Sequence, residues 1–172
     1  MPRHILKIND RVGTRVPVRL LEQVLRATLA RYGKQFANRS TETSLALISD
    51  RSMANLNRMY RGKRGTTNVL SFSFVRPPNK IGAGEPLLLG EILISPVQAT
   101  QGAKQKKHTM AAELAALFLH GFLHVLAFDH EQGIPSKKVM RQAEEAVIAK
   151  IPPLKRALKG RGLLVRELVY PK

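Results

Sequence analysis

The stretch MAAELAALFLHGFLHVLAFDH, residues 110–130, decides the fold, because it combines the longest apolar run with most of the histidines. Its most apolar part, Leu114 to Phe128, contains two histidines and a glycine and is too short to span a bilayer. Thr109, which precedes the run, can cap a helix. The sequence therefore predicts an apolar helix that begins after Thr109 and ends near Ala127.

Three of the five histidines of the chain lie in this stretch. On a helix, His120 and His124 share one face with Cβ atoms about 5–6 Å apart, so both rings can bind one ion. The chain must bend after the helix to bring His130 to the same ion. Three histidines leave a fourth position open for water, which is the arrangement of a catalytic zinc site. We therefore expect one zinc ion per chain, and the alternative is that these residues are ordinary core histidines.

Gly121 stands where zinc proteases of the pattern H-E-x-x-H-x-x-G-x-x-H carry a glutamate. That glutamate is the base that takes a proton from the zinc-bound water. Glycine has no side chain, so this chain cannot use the protease mechanism. Zinc by itself lowers the pKa of its water, and a phosphodiester suits such a site because negative charge builds on its oxygens. The motif therefore favours phosphodiester over peptide hydrolysis.

The chain is strongly basic: 29 lysines and arginines against 12 aspartates and glutamates give a formal net charge of +17. A domain so far from neutrality attracts polyanions, and each phosphate that it neutralises releases counterions. Nucleic acid is therefore the expected partner. An acidic membrane surface is second, because no basic amphipathic helix is evident.

The 172 residues, 44% of them hydrophobic, suit one domain with a core of its own. Without cysteine the chain can form no disulfide, thiolate metal site or cysteine nucleophile. The N-terminal MPRHILKINDR lacks the apolar run of a signal peptide. We expect a cytoplasmic protein without membrane attachment.

Hydrophobic periodicity predicts one α+β domain, in which a small mixed four-stranded sheet packs against about five helices. The candidate strands are His4–Ile8, Ser44–Ser49, Asn68–Val75 and Leu87–Ser95. Further helices are predicted from Pro17 to about Gly33, from an Asp50 cap to about Met59, and from a Ser136 cap to Ile151.

The last predicted helix is expected to direct five side chains inward: Val139, Met140, Ala143, Ala146 and Val147. The domain is expected to span residues 1–151. Residues 152–172, which are rich in lysine and arginine, are expected to form a basic C-terminal extension.

The histidine stretch HGFLHVLAFDH resembles the signature H-G-x-L-H-L-x-G-Y-D-H of the YbeY family of bacterial rRNA-maturation endoribonucleases. LNRMYRGKRGTTNVLSFSF (Leu56–Phe74) is similar to the family stretch L-N-x-x-Y-R-G-K-x-x-x-T-[DN]-V-L-S-F-x-F. LGEILIS is similar to the family strand L-G-D-I-x-I, and Met140, Glu144 and Glu145 resemble the last family helix. The resemblance covers roughly residues 5 to 150.

This resemblance implies an α+β domain that binds zinc through His120, His124 and His130. It also implies that Arg61, in the YRGK turn, is the main catalytic or RNA-binding residue outside the metal site. A guanidinium is always charged and can hold a phosphate through two donors at once, which agrees with that role.

Residues around these motifs have more open assignments. Lys63 and Arg64 either contact RNA phosphates or serve solubility. Asp129 either accepts a hydrogen bond from a ligating imidazole or caps the turn that brings in His130. Three positions depart from the family pattern: Arg64 replaces an acidic residue, Ala127 a glycine and Phe128 a tyrosine. If the bend requires positive φ, alanine costs about 1 kcal/mol there.

The resulting prediction is a zinc-dependent endoribonuclease that acts on single-stranded RNA, in 16S rRNA 3′-end maturation and ribosome quality control. Its expected partners are rRNA and the small ribosomal subunit, together with ribosomal proteins or assembly GTPases. Water or the RNA 2′-hydroxyl could be the nucleophile. The alternative is a non-catalytic ribosome-assembly factor with a structural metal site, which a fourth protein ligand would favour.

Overall fold

A computed structural model describes the protein over residues 2–74, 85–127 and 137–159. These residues form four strands and six α-helices, with a short 3-10 helix at Lys34–Phe36. The strands are β1 (His4–Asp10), β2 (Thr41–Leu47), β3 (Val69–Ser73) and β4 (Leu87–Ile94). The helices are α1 (Val18–Tyr32), α2 (Asp50–Arg61), α3 (Pro96–Gln105), α4 (Met110–Ala127), α5 (Lys137–Ile148) and α6 (Pro152–Leu158). The predicted α+β class is confirmed.

The four strands form one mixed sheet in the order β1-β2-β4-β3. β1, β2 and β4 are parallel, and β3 pairs antiparallel with β4. Within the described part of the chain, β3 is therefore an edge strand of the sheet, joined to β4 along one side only.

Side chains alternate between the two faces of the sheet, and the faces are covered differently. One face packs against α1 and α4 in the main core, through strand residues that include Leu45, Leu47, Ile92 and Ile94. The other face forms a small cluster with Met53 of α2, through Ala46, Leu70 and Leu93. We call these the α4 face and the α2 face.

Helix α4 is the centre of the main core, as its composition predicts. Every side chain from Ala112 to Leu126 is buried. The hydroxyl of Thr109 accepts a hydrogen bond from the amide of Ala112 at 3.2 Å, which confirms the predicted cap. The helix is described from Met110 to Ala127; the predicted end near Ala127 borders residues outside the described ranges and stays a prediction.

The predicted cap of α2 is wrong by one residue. The side chain of Ser49, not that of Asp50, accepts the hydrogen bond from the amide of Ser52. Ser49 has the extended backbone that an N-cap requires, whereas Asp50 is already helical. At the other end, Gly62 adopts the left-handed conformation with φ of 64°, which ends the helix two residues beyond the predicted Met59.

Two helices were not predicted. Pro96, which directly follows the predicted strand Leu87–Ser95, is the first residue of α3, whose cap is Ser95. Proline suits this position because its φ is already helical and its missing N–H is not needed. Pro152 begins α6 in the same way, and Leu154 and Leu158 of α6 are buried in the main core. The first seven residues of the expected extension thus form a helix that packs on the core through these two leucines. Residues 160–172 lie outside the described residues.

Helix α5 presents a slightly different face from the predicted one. Met140 and Val147 are buried as expected, but Val139 is 53% exposed. The buried stripe includes Glu144, which is 3% exposed. A carboxylate on the inward face of this helix therefore needs a partner, because burying an unpaired charge is costly. The predicted cap, Ser136, lies outside the described residues.

Among the described residues, no single helix is both long and apolar enough to cross a membrane. α3 and α4 reach the length and apolarity of a membrane-spanning segment only when taken together, and they are bent by 112° at their junction.

Candidate metal centre

His120 and His124 lie side by side on the buried part of α4. Their side chains converge, with the two Nε2 atoms 3.1 Å apart and the ring centroids 4.5 Å apart. The residues are 7% and 4% exposed. The four-residue spacing thus brings both rings to one point, as the helical periodicity predicts.

Glu144 of α5 contacts the ring of His120 at Nδ1, the ring nitrogen that does not face His124. Its Oε1 lies 2.5 Å from Nδ1 of His120. When Nδ1 carries the proton and donates a hydrogen bond to this carboxylate, Nε2 keeps its lone pair and faces His124. Metal-binding histidines commonly have such an acceptor, which fixes the tautomer and the ring orientation. Glu144 was not assigned this role from the sequence, although a glutamate on the inward stripe of α5 is a signal for it.

His124 is electrostatically suited to bind a cation as a neutral ligand. Burial lowers the pKa of His124 to about 3, and the electrostatic effect of His120 adds to this. The ring is therefore neutral at physiological pH. A neutral imidazole has a lone pair to donate, whereas an imidazolium has none.

The geometry of the pair fits a zinc ion. Two nitrogens bound to zinc at 2.0–2.1 Å with a tetrahedral angle lie about 3.3 Å apart, close to the 3.1 Å between the Nε2 atoms. The predicted third ligand, His130, and the predicted supporting residue, Asp129, lie outside the described residues. Within the described ranges no group of three or more His, Cys, Asp or Glu side chains could hold a metal ion. The three-histidine set stays a prediction.

Gly121 packs against the sheet and not toward the histidine pair. A Cβ atom at Gly121 would lie 2.9 Å from Cγ2 of Ile92 and 3.4 Å from Cγ2 of Val69. The position that carries the base in the zinc proteases therefore faces β3 and β4 in this fold. The close packing of α4 on the sheet explains why a residue without a Cβ atom fits at this position, which the sequence alone did not show.

Arg61 is the last residue of α2, and a buried asparagine braces it. Its Nη1 donates to Oδ1 of Asn57 at 3.2 Å. Asn57 is 3% exposed, and its Nδ2 donates to the carbonyl of Gly65 at 2.9 Å. Asn57 thus connects Arg61 to the loop that follows α2. No role was predicted for Asn57 from the sequence, although it lies in the same motif as Arg61.

Lys63 and Arg64 lie in the exposed part of the loop between α2 and β3. Both cations are accessible to a polyanion. The loop continues into Val69 of β3, which packs against α4 at Gly121, next to His120. The basic loop and the histidine pair therefore adjoin the same edge strand.

Glu113 lies on α4 before the histidines but takes part in a separate cluster. It is 1% exposed and accepts from Nζ of Lys106 at 2.8 and 3.1 Å. Nε2 of His108 lies 2.5 Å from Oε2 of Glu113. These contacts tie the α3–α4 corner together, and they occupy the carboxylate. Glu113 is therefore not a candidate base for the histidine pair.

Fold and site together define an α+β protein with a candidate metal centre on a buried helix. The family model described as Endoribonuclease YbeY matches residues 7–152. That range covers most of the chain, and the chain belongs to the YbeY family.

Curated relatives agree with this assignment. The Endoribonuclease YbeY of Pelotomaculum thermopropionicum is 36% identical over 142 residues, which are 83% of this chain and 88% of that protein. The protein of the same name from Halalkalibacterium halodurans is 38% identical over 129 residues, 70% of this chain and 78% of that one.

A solved structure supports the fold. The solution structure of TM1509 from Thermotoga maritima has a TM-score of 0.51 to this chain at 22% sequence identity. The similarity covers 91% of this chain and 99% of that one. At this level of identity it supports the architecture alone.

Proposed function

We propose that this chain is a zinc-dependent endoribonuclease that cleaves single-stranded segments of rRNA in the cytoplasm, including the 3′ end of 16S rRNA during its maturation. The observation that carries the proposal is the convergence of two buried Nε2 atoms, 3.1 Å apart, with Glu144 behind one ring. Relatives named Endoribonuclease YbeY support RNA as the substrate.

The proposed partners are rRNA and the small ribosomal subunit, with ribosomal proteins or assembly GTPases as further contacts. The net charge of +17 supports a polyanionic partner.

In this proposal the three histidines hold the metal, and Glu144 orients one of them, His120. Zinc bound by His120, His124 and His130 would supply positive charge that lowers the pKa of a water and stabilises charge on the phosphate. Glu144 keeps His120 in the tautomer that leaves its Nε2 lone pair available. Burial keeps His124 neutral, so protons do not compete for its nitrogen near neutral pH.

Arg61 is proposed to bind the phosphate that is cleaved. Its hydrogen bond to Asn57 restricts the side chain, so less conformational entropy is lost when it binds phosphate. Lys63 and Arg64 are exposed and are proposed to contact the neighbouring phosphates. Both nucleophiles, water and the 2′-hydroxyl, are compatible with these roles.

The proposal is tested by RNA cleavage with zinc-loaded wild type, His124→Ala and Arg61→Ala proteins. We expect His124→Ala and the chelator-treated wild type to lose cleavage, and Arg61→Ala to lose about 100-fold in rate. Arg58→Ala is the matched control, because Arg58 is an exposed cation on the same helix. If all four proteins cleave equally, with and without chelator, this site is not a nuclease site.

Metal analysis separates the enzyme from the assembly-factor alternative. The purified protein should contain about one zinc ion per chain, with three protein ligands and an exchangeable water. A fourth protein ligand, together with no cleavage by the wild type, would favour the non-catalytic assembly factor.

A further inference from the structure

A groove opens on the α2 face of the sheet, away from the histidine pair. It lies between α2 and strands β2, β3 and β4 and has a volume of about 470 Å³. This volume is within the usual range for small-molecule sites. Its walls include three aromatic rings, those of Tyr60, Phe72 and Phe74.

Two of the three aromatic rings in the groove are exposed. Tyr60 is 42% exposed and Phe74 is 43% exposed. The ring of Phe72 packs edge-on against Tyr60, with centroids 5.0 Å apart and an interplanar angle of 70°. Large apolar side chains exposed together commonly mark a binding surface.

The polar groups of the groove suit a nucleobase better than a phosphate. Arg11 and Glu91 both line it, so their charges offset each other. The hydroxyls of Ser49 and Ser52, 3.0 Å apart, line the same groove. Together they offer donors and acceptors to the edge of a base, while the aromatic rings offer surfaces for stacking.

The groove and the candidate metal centre lie on opposite faces of the same edge strand. Phe72 of the groove alternates on β3 with Ser73, whose hydroxyl donates to the carbonyl of Val125 at 3.0 Å, one residue after His124. Tyr60 directly precedes Arg61 on α2. Because Tyr60 lines the groove and Arg61 leads into the basic loop, a single RNA strand can place a base in the groove and a neighbouring phosphate at that loop.

We propose that this groove binds a base of single-stranded RNA, stacked on Tyr60 and Phe74, close to the phosphodiester that is cleaved. This rests on the proposed function for its substrate. The net charge of +17 favours a nucleic acid over a protein segment as the occupant, because phosphates of the same strand are attracted to the surrounding surface. Stacking of a base on an aromatic side chain contributes about 5- to 150-fold to affinity.

The proposal is tested by the affinity of the full-length, zinc-loaded protein for a fluorescein-labelled oligouridylate with cleavage-resistant phosphorothioate linkages. Fluorescence anisotropy at one fixed salt concentration gives the dissociation constant. Phe74→Ala and Tyr60→Ala should each weaken binding at least about 5-fold, and Phe74→Trp should bind at least as tightly as the wild type. Val97→Ala, which removes a 50% exposed apolar side chain on α3, is the matched control and should bind like the wild type.

The outcomes distinguish this groove from the proposed nuclease activity. If Phe74→Ala and Tyr60→Ala bind the oligouridylate as tightly as the wild type, the groove is not a base site, and a protein occupant becomes the explanation for its rings. If these variants bind weakly but the wild type cleaves no RNA, the nuclease proposal fails and the base site stands.

A second readout locates the base directly. A 4-thiouridine in the oligonucleotide should photo-crosslink to the peptides that contain Tyr60 or Phe74, as mapped by mass spectrometry. Cross-links confined to the loop with Lys63 and Arg64 would overturn the proposal, because the base would then lie outside the groove.

Discussion

The two faces of the sheet are covered to different extents. The candidate metal centre lies on the packed α4 face, and the proposed base-binding groove lies on the more open α2 face. On the α4 face every side chain from Ala112 to Leu126 is buried, and the histidine pair and Glu144 are partnered within that packing. On the α2 face one helix and a small apolar cluster leave aromatic rings exposed. A buried, tightly packed surface can fix ligand geometry, whereas an open one can accept a partner.

The largest loss of stability is expected from a substitution on the packed α4 face, at Gly90, where β4 approaches both β3 and α4. A Cβ atom there would lie 2.3 Å from the carbonyl oxygen of Phe72 and 2.8 Å from Cγ1 of Val125. Gly90→Ala should lower the free energy of unfolding by about 3 kcal/mol, because a backbone atom in a paired strand cannot move aside. Urea unfolding followed by circular dichroism measures this.

The matched control for Gly90→Ala is Leu88→Ala, on the same strand. Leu88 is 40% exposed, so its truncation should change the free energy of unfolding by only about 0.5 kcal/mol. Equal losses in the two variants would mean that the close contacts at Gly90 do not determine its effect.

The next effect is expected at Glu144, where the α4 face supports the metal. Glu144→Gln should weaken zinc binding about 10-fold, because the amide holds the tautomer of His120 less firmly than the carboxylate does. Competition with a coloured chelator measures the affinity. Glu145→Gln is the control, since Glu145 is 57% exposed and pairs with Arg141 on the surface. The same zinc affinity in both variants would exclude a supporting role for Glu144.

A smaller effect is expected at Asp50, which joins α2 to its neighbours through polar contacts. Its carboxylate accepts hydrogen bonds from Thr66 at 2.9 Å, Ser95 at 2.6 Å and Gln98 at 3.0 Å. Burial by itself would raise the pKa of Asp50, but the hydrogen bonds from Ser95, Thr66 and Gln98 outweigh burial and lower the pKa below 3.8. Asp50→Asn should therefore cost about 1 kcal/mol of unfolding free energy at neutral pH.

The lowered pKa of Asp50 determines the sign of the pH dependence. The folded protein holds the carboxylate ionised more strongly than the unfolded chain does, so its contribution is complete above pH 3.8 and is lost as the pH falls through the folded pKa. Urea unfolding at neutral pH and at about pH 2.5 measures this. The difference in unfolding free energy between the wild type and Asp50→Asn should be smaller at the acidic pH. A gap that widens on acidification would contradict the assignment.

The smallest stability effect is expected at Phe74, on the open face. Because this ring is 43% exposed, Phe74→Ala should change the free energy of unfolding by no more than about 0.5 kcal/mol. Thermal unfolding checks this value. A large loss of stability would show that the ring is part of the core, and the contrast between the two faces would weaken.

Much of the fold could be predicted because it depends on local periodicity. Alternation identified all four strands, and the apolar run identified α4 with its cap at Thr109. The errors concern single residues at the ends of helices. Ser49 and Asp50 are both good capping residues in adjacent positions, and only the backbone conformation chooses between them. Pro96 is compatible with the end of a strand and with the start of a helix.

The candidate site was predictable only in part. The four-residue spacing of His120 and His124 is sufficient to place both rings on one face of α4, since helix geometry alone determines it. No such rule connects His120 to Glu144, which lies 24 residues away on another helix. The same holds for Asn57, whose contact with Gly65 depends on the path of the loop after α2.

By itself, the sequence determined the properties that depend on composition and periodicity: a basic α+β domain, its four strands, and a histidine pair on an apolar helix. The tertiary structure decided which distant residues meet. It placed Glu144 behind His120, turned Gly121 toward Ile92, and left the rings of Tyr60 and Phe74 exposed beside the sheet. The physical reason is that periodicity acts over a few residues, whereas burial and pairing depend on how separate elements pack against one another.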